Sequence, residues 1–392
     1  MNIGLFTDAY YPNINGVVSS VITLKHSLEK LGHSVFIITN HSGSSVIYKN
    51  DILRLPGMEL KFLYGYNLSI PFQNTTAMNY IVEMNLDIIH VHTEFGVGLF
   101  GRRMAEKLNI PIVYTYHTLY EDYTHYLNPF DINIISSAEK ELFKDISRNL
   151  VNHSDAVIAP SDKTLKKLRE YGATVPIHII PTGLDLSEFN IESFEEDKKR
   201  LIQEKLSLPQ GAHLVSYVGR IGKEKQIDMV IKAISLCRNK NIHLMIVGDG
   251  SILSDLKAVA KEEEISERVH FTGMVERCDV KYYYNASECF ASASVSETQG
   301  MTYIEALACG VPVFGRRDEV LEDLVEEGVT GYYFDDEKEL AEKLDLFFSL
   351  DKEVRKANRK LCVEKTKQYD TEVFGRKVLE VYKEVLSQNT GE

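Results

Sequence analysis

Two glutamates eight positions apart, Glu297 and Glu305, are the residues whose types and spacing most clearly indicate chemistry. A short apolar strand-like run (288–293) precedes Glu297, and from Met301 onward apolar residues recur at helical spacing. Glu305 is therefore predicted about one turn into a helix, whose N-terminus offers free N–H groups and a partial positive charge to an anion. Two carboxylates beside an anion site suit a ligand that is both hydroxylated and phosphorylated, such as a nucleotide-sugar.

Solvent exposure of both acids is the alternative interpretation. The apolar neighbours of Glu305 argue against it, because an unpaired carboxylate among them would be costly and a ribose would satisfy it. Paired carboxylates also hydrolyse glycosides, but there they face each other across the scissile bond. Binding of a phosphorylated donor is therefore favoured over hydrolysis.

Two cations follow another strand-like run, in the segment GRIGKEKQID (219–228). Arg220 is predicted where the strand ends, and Lys225 lies five residues later, in the turn before a helix. Together they could clamp a diphosphate and stabilise the charge that grows on a departing nucleoside diphosphate. A pair of solvated surface cations is the alternative.

Three further strand ends could contribute to such a site. Gly16 follows the first strand and would let the backbone of a helix start approach a phosphate, although an ordinary turn explains it equally. Gly248 would allow a nucleotide to approach closely, or it forms a tight turn. His117 could hydrogen-bond a sugar hydroxyl, or be satisfied by backbone groups.

The elements that must position these residues form two successive series. A chain of 392 residues is too long for one ordinary core and predicts two domains. In each series strand-like runs alternate with amphipathic helices, which predicts two doubly wound α/β halves with ligands at the carboxyl ends of their strands. We expect the domains to span 1–183 and 184–369, with a terminal helix (370–392) packing back towards the first.

Composition excludes several classes of protein. A net charge of −13 argues against a general nucleic-acid binder. No run approaches the roughly 20 apolar residues of a membrane span, and the N-terminus resembles a strand rather than a signal peptide. Five cysteines without metal-like spacing predict reduced thiols in a cytoplasmic protein and no metal site. The missing dinucleotide fingerprint disfavours an oxidoreductase.

Taken together, these segments resemble family 4 of the retaining glycosyltransferases over nearly the whole chain. The segments that carry the resemblance are the E-x7-E pair, GRIGKEK, IVGDG, the early NGVV loop and IIPTGLDLSEF. Within the family, FTDAYYPNINGVVSSV, VHTEFGVG and TYHTLYEDYTHY resemble the bacterial 1,2-diacylglycerol 3-glucosyltransferases. The resemblance implies the GT-B fold, in which two Rossmann-like domains of parallel sheet face each other across a cleft.

The resemblance also implies an activity and roles for individual residues. Glucose would move from UDP-glucose to the 3-hydroxyl of diacylglycerol, without a metal or another cofactor. Glu297 would bind the sugar hydroxyls, Glu305 the ribose and His117 the glucose. The implied catalytic residues are His117, Arg220, Lys225 and Glu297, and the implied donor-binding residues are Gly16, Gly219, Arg220, Lys225, Gly248, Glu297, Gln299, Gly300, Met301, Thr302 and Glu305.

The acceptor side is predicted from aromatic and basic residues. Tyrosines could pack around an apolar acceptor or fill a domain edge. A basic helix near 162–172 and a nearly uncharged aromatic stretch (60–72) could rest on an anionic lipid surface, or be a solvated face and core. We therefore expect a cytoplasmic protein attached peripherally to the inner face of the membrane. The residues concerned are Tyr120, Tyr123, Tyr126, Lys163, Lys166, Lys167 and Arg169.

Other functions remain open on the sequence alone. A transferase of the same fold could use another nucleotide-sugar or a soluble acceptor. A nucleotide-sugar epimerase would convert its ligand without any acceptor, and a sensor would bind the donor without transfer.

Overall fold

A computed structural model describes residues 1–11, 15–60, 66–69, 74–117, 137–189 and 196–390. The chain divides into two compact units, one made of Met1–Leu184 with Thr371–Glu392 and the other of Asp185–Asp370. These boundaries lie one residue from the domain limits expected at 183 and 369. Both units are α/β, as the alternating pattern predicts.

The first unit is built around a sheet of nine described strands in the order β3-β4-β2-β1-β6-β7-β8-β9, with β5 paired to β4. All pairs are parallel except β3 with β4 and β4 with β5. The strands are β1 (Asn2–Phe6), β2 (Ser34–Ser42), β3 (Ile47–Lys49), β4 (Ile52–Leu60), β5 (Tyr66–Leu68), β6 (Ile88–Val91), β7 (Ile112–Thr115), β8 (Ala156–Ala159) and β9 (Ile177–Ile179). The helices that connect them are α1 (Gly16–Lys30), α2 (Thr75–Glu83), α3 (Gly96–Leu108), α4 (Ser137–Asn152) and α5 (Asp162–Glu170).

The second unit contains a sheet of six described strands, all paired in parallel, in the order β12-β11-β10-β13-β14-β15. The strands are β10 (His213–Val218), β11 (Ile242–Val247), β12 (Val269–Gly273), β13 (Cys289–Ser292), β14 (Val313–Arg316) and β15 (Gly331–Phe334). The helices are α6 (Glu196–Lys205), α7 (Ile227–Leu236), α8 (Leu253–Glu262), α9 (Val280–Ala286), α10 (Met301–Ala308), α11 (Glu337–Ser349) and α12 (Lys352–Thr366). The strand order reverses between β10 and β13, and the carboxyl ends at such a switch point form the usual ligand crevice of an open α/β sheet.

The last helix, α13 (Thr371–Thr390), belongs to the first unit. Its buried face, which includes Phe374, Val378 and Tyr382, packs with residues of α1 and the sheet in one hydrophobic cluster. The Ser27 hydroxyl on α1 donates to the carbonyl of Thr371 (2.9 Å), which fixes the start of the helix. In the described part of the chain, no helix has the length and apolar composition needed to cross a membrane.

Candidate active site

The switch point of the second unit brings Lys225 and Glu297 together. The parallel strands β10 and β13 are hydrogen-bonded neighbours; Lys225 ends a short 3-10 turn (Lys223–Lys225) after β10, and Glu297 lies in the loop after β13. The ammonium of Lys225 is 2.6 Å from the Glu297 carboxylate, and the two side chains are only 15% and 19% exposed. The cation predicted to hold a diphosphate thus contacts the acid predicted to hold a sugar, within the same unit.

Arg220 follows the same strand as Lys225 and has a different partner. Its guanidinium is 2.7 Å from the carboxylate of Glu224, which is almost completely buried, whereas the Arg220 side chain is partly exposed. The Tyr217 hydroxyl donates to the Arg220 carbonyl (2.9 Å), so the backbone of the turn is also fixed. Burial raises the pKa of Tyr217, and the charge of Glu297 raises it further. Arg220 can therefore present positive charge at the strand end from a constrained position.

Gly248 directly follows the neighbouring strand β11, and the backbone itself requires a glycine there. A Cβ at this position would lie 1.9 Å from the carbonyl oxygen of Gly219, and the residue has φ +138°. Close packing of two strand ends therefore accounts for Gly248 without any ligand, which is the tight-turn alternative considered above. Gly219 itself has φ +149°, which also favours glycine.

The first turn of α10 follows Glu297 as the sequence predicts. Gly300 adopts a left-handed conformation (φ 73°, ψ 49°) immediately before the helix, which begins at Met301. Gln299 is buried, and Thr302 accepts at its carbonyl from the Tyr284 hydroxyl (3.2 Å). The structure therefore has a helix start at the place where the sequence predicts that an anion binds.

Glu305 lies one turn into α10 and is only 5% exposed. One carboxylate oxygen is 2.6 Å from the guanidinium of Arg277, and the other accepts from the Tyr284 hydroxyl (3.1 Å). The argument that Glu305 would be unpaired without a ligand is therefore wrong, because the protein supplies a cation and a hydroxyl donor. The Glu305 charge holds the pKa of Arg277 above its usual value, while burial raises the pKa of Tyr284.

Sequence reasoning missed Arg277. It lies in a short 3-10 turn (Arg277–Asp279) that follows β12, so a cation again stands just beyond a strand end. That position is the same signal that identified Arg220, and it could have been applied to this strand as well.

In the first unit, Gly16 occupies the first turn of α1 and is exposed. The Asn15 side chain caps the helix by accepting from the Val18 N–H (3.0 Å). Among the described residues no atom lies within 4 Å of the position a Gly16 Cβ would take. The described residues thus leave space on the side of Gly16 where a Cβ would lie, as a plain turn would also do.

His117 follows β7 and contacts a second histidine that the sequence reasoning did not select. Its Nε2 is 3.0 Å from Nδ1 of His92, which follows the adjacent strand β6. Burial lowers the pKa of His117 to about 4, so the imidazole is neutral at physiological pH. Two histidines at neighbouring strand ends (HVHT and TYHT) were the available signal.

The residues predicted to contact lipid are only partly described. Tyr120, Tyr123 and Tyr126, like most of the stretch 60–72, lie outside the described residues. On α5, Lys166 and Arg169 are exposed, and Lys163 and Lys167 are partly buried. Leu168 of this helix is fully buried in the core, so α5 offers a basic outer face and an apolar inner face.

Neither a metal-ligating cluster nor a disulfide occurs among the described residues. Within the described ranges, no group of three His, Cys, Asp or Glu side chains has the geometry of a metal site. All five cysteines are free thiols, and Cys278 alone among them is exposed.

Comparisons with known proteins identify the family. The model described as "Glycosyltransferase Family 4" matches residues 14–188, and "Glycosyl transferases group 1" matches 198–364. The alpha-monoglucosyldiacylglycerol synthase of Streptococcus pneumoniae is 34% identical over 99% of this chain and 87% of its own length. The synthase of the same name from Acholeplasma laidlawii is 32% identical over 99% of this chain and 98% of its own length.

Solved structures agree with the fold. Anabaena HepE, crystallised with UDP and glucose, superimposes with a TM-score of 0.75 at 17% identity over 97% of this chain and 99% of its own. A sucrose-phosphate synthase from Thermosynechococcus elongatus gives a TM-score of 0.76 at 19% identity over 98% and 99%. With two family models that match consecutive parts of the chain and relatives above 30% identity along its length, the chain belongs to glycosyltransferase family 4 and is a glycosyltransferase of the GT-B fold.

Proposed function

We propose that this glycosyltransferase moves glucose from UDP-glucose to the 3-hydroxyl of 1,2-diacylglycerol, giving monoglucosyl-diacylglycerol with retention of configuration. The observation that carries the proposal is the sequence similarity, over 99% of this chain, to two proteins named alpha-monoglucosyldiacylglycerol synthase. Glucose is α-linked in UDP-glucose, so the α-product in their name corresponds to retention.

The geometry of the second unit supports a donor site at its switch point. In the proposed reaction the bond from the glucose anomeric carbon to the phosphate oxygen breaks, and a bond to the diacylglycerol oxygen forms. The departing UDP takes the hydroxyl proton. Arg220 and Lys225 would stabilise the charge that grows on the diphosphate, which needs fixed cations more than a nucleophilic side chain. Glu297 would accept hydrogen bonds from glucose hydroxyls, and Glu305 from the ribose.

Two protein cations can balance charge on a diphosphate, so the proposed reaction needs no metal ion. UDP-glucose is a substrate here, and no other cofactor is proposed. Turnover that is unchanged by EDTA and by added Mg²⁺ is the expected result. Loss of activity in EDTA that Mg²⁺ restores would contradict this part of the proposal.

The test of activity is a screen of donors against acceptors. Purified enzyme is offered UDP-glucose, UDP-galactose, UDP-N-acetylglucosamine and GDP-mannose, with diacylglycerol in mixed micelles or with soluble sugars and polyols. The product is identified by mass, and its anomeric configuration by NMR. Transfer confined to a soluble acceptor would overturn the lipid assignment. A β-linked product would overturn retention, and an altered donor sugar without acceptor would indicate an epimerase.

Variants test whether Arg220 and Lys225 stabilise the charge on the leaving diphosphate. Arg220→Ala and Lys225→Ala should each reduce turnover by about 10²-fold or more, the size found when one group that stabilises transition-state charge is removed. Lys232→Ala is the matched control, because this α7 lysine forms an exposed pair with Asp228 at 3.4 Å. Near-normal turnover in both variants would refute this role of Arg220 and Lys225.

Diacylglycerol lies in a bilayer, so we propose that the enzyme works as a peripheral protein on the inner face of the cell membrane. The exposed Lys166 and Arg169 of α5 support this, since basic residues are attracted to anionic cytoplasmic lipids by about 1 kcal/mol each. Lys166→Glu/Arg169→Glu should co-sediment less with vesicles that contain phosphatidylglycerol. Lys356→Glu/Lys360→Glu, exposed on α12, is the matched control. Equal loss in both variants, or loss in neither, would refute α5 as the contact.

A further inference from the structure

Three histidine rings form a continuous row in the first unit. His90 lies on β6, His92 follows that strand, and His117 follows the adjacent β7. The ring centroids of His90 and His92 are 4.1 Å apart, and those of His92 and His117 are 5.3 Å apart with the planes 22° from parallel. His92 therefore contacts both of the other rings. Among these three, only His117 has a role that the family resemblance implies.

The first ring of the row is fixed by two hydroxyl groups. Nδ1 of His90 is 2.6 Å from the hydroxyl of Tyr382 on α13, and Nε2 is 2.7 Å from the hydroxyl of Thr115 on β7. Both nitrogens of His90 are thus hydrogen-bonded, and the ring cannot turn without breaking two bonds. His92 packs on this immobile surface.

The two nitrogens of His92 differ in their environments. Nδ1 is 3.0 Å from Nε2 of His117. Nε2 is buried and has no hydrogen-bond partner among the residues that the structure describes. Burial lowers the pKa of His92 well below its usual value and that of His117 to about 4, so both rings are neutral. One nitrogen of each ring then carries a proton and the other is bare.

The position of the His92 proton follows from the unpartnered nitrogen. If Nδ1 were bare, the proton would sit on Nε2 as a buried N–H without an acceptor, an arrangement that folded proteins avoid more strictly than an unused acceptor. With the proton on Nδ1, it is donated to Nε2 of His117. The bare nitrogen of His117 is then its Nε2, and its own proton lies on Nδ1.

We propose that His92 is a positioning residue that donates Nδ1–H to Nε2 of His117 and so fixes the tautomer and ring orientation of His117. The inference rests on the proposed function, because it takes for His117 the contact with the donor glucose that the family resemblance implies. Because Nε2 accepts the His92 proton, any hydrogen bond that His117 makes to the sugar is a donation from Nδ1, and Nε2 cannot act as a base. Tyr382 places α13 in the same chain of contacts, through His90.

The first test reads the tautomer directly. Protein labelled with ¹⁵N-histidine is examined by long-range ¹H–¹⁵N correlation at pH 7.5, and His117→Gln identifies the His117 signals by their loss. We expect a protonated Nδ1 and a bare Nε2. The reverse assignment in the wild-type protein would overturn the proposal. This measurement needs neither donor nor acceptor, so it stands even if the proposed glucosyl transfer fails.

The second test separates positioning from packing by comparing His92→Asn with His92→Leu. An Asn side-chain N–H lies close to the position of a histidine Nδ1–H and should retain the donor, whereas Leu removes it. We expect His92→Leu to lower kcat about tenfold, the effect of losing one hydrogen bond that orients a reacting contact. His92→Asn should stay within about threefold of wild type, and the Kd for UDP, which lacks the sugar, should change less than about twofold in both.

Two results would overturn the positioning role. One is a kcat for His92→Leu that equals wild type. The other is an equal loss in His92→Asn and His92→Leu with UDP affinity retained, since the rescue by a matched donor would then be missing. If His92→Leu does not fold, the proposal is still tested by the tautomer of His117 in the wild-type protein and by the kcat of His92→Asn.

Discussion

Replacing Arg277 by methionine should destabilise the second unit by about 2 kcal/mol, because it leaves the Glu305 carboxylate without its cation. Glu305 is 5% exposed, so water cannot take the place of the guanidinium 2.6 Å away. Removing one partner of a buried ion pair costs about 3–5 kcal/mol. Arg277 is itself 38% exposed, and the hydrogen bond from Tyr284 to Glu305 remains. We therefore expect a smaller cost than this range, about 2 kcal/mol.

A double-mutant cycle checks that this cost belongs to the pair. Arg277→Met/Glu305→Gln removes both charges, and the Gln amide can still accept from Tyr284. It should recover about 1–2 kcal/mol relative to the sum of the single variants. Arg317→Met is the matched control, because Arg317 and Asp335 lie 3.7 Å apart and are 60% and 66% exposed. That variant should change stability by less than about 0.5 kcal/mol.

The assay is urea unfolding of the full-length protein followed by circular dichroism and tyrosine fluorescence, since the chain contains no tryptophan. Titration of UDP by calorimetry provides the functional measurement. In the proposed site Glu305 binds the ribose, so Arg277→Met should weaken UDP about tenfold by releasing one carboxylate oxygen from its fixed position. Stability within 0.5 kcal/mol of wild type, or single-variant costs that simply add, would refute the reasoning.

Three further predictions concern backbone packing, pH and thiols. Gly248→Ala should prevent stable folding of the second unit because its Cβ would lie 1.9 Å from a carbonyl oxygen, whereas Gly328→Ala, with φ +80° and open space, should cost only about 1 kcal/mol in the same melts. Burial lowers the pKa of His90 from 6.5 to about 3 and that of His117 to about 4, so the unfolded state binds protons at a higher pH than the folded state does. The urea midpoint should therefore fall as the pH drops below 6.5. It should fall less in a His90→Gln variant. Cys278 should be the one thiol that reacts rapidly with Ellman's reagent in native protein, against five in denaturant; a second fast thiol would contradict the burial of the others.

Local rules predicted the elements and the residues at their ends. Helical periodicity identified the start of α10 and placed Glu305 one turn inside it, as the structure does. The sequence predicted a glycine at the end of β11. A side chain is excluded there by the Gly219 carbonyl, which follows the neighbouring strand, and no local pattern contains that contact. Arg277 does carry a local signal, a cation just beyond a strand end, but its contact with Glu305 was not predicted. Arg277 follows the edge strand β12 and Glu305 lies on α10 after β13, so only the tertiary fold brings the two side chains together.

The ion pair between Lys225 and Glu297 constrains which ligand can enter the proposed site. A bare diphosphate that attracts Lys225 breaks the contact of Lys225 with Glu297, whose side chain is only 19% exposed, and this cost reduces the affinity. A free sugar that binds Glu297 also breaks this contact, and nothing in the sugar replaces the carboxylate beside Lys225. A nucleotide-sugar carries a diphosphate for the lysine and hydroxyls for the glutamate in one molecule, so it replaces the pair on both sides at once. In the proposed mechanism, the pair therefore favours the intact donor over either of its parts, and it can re-form once glucose has left.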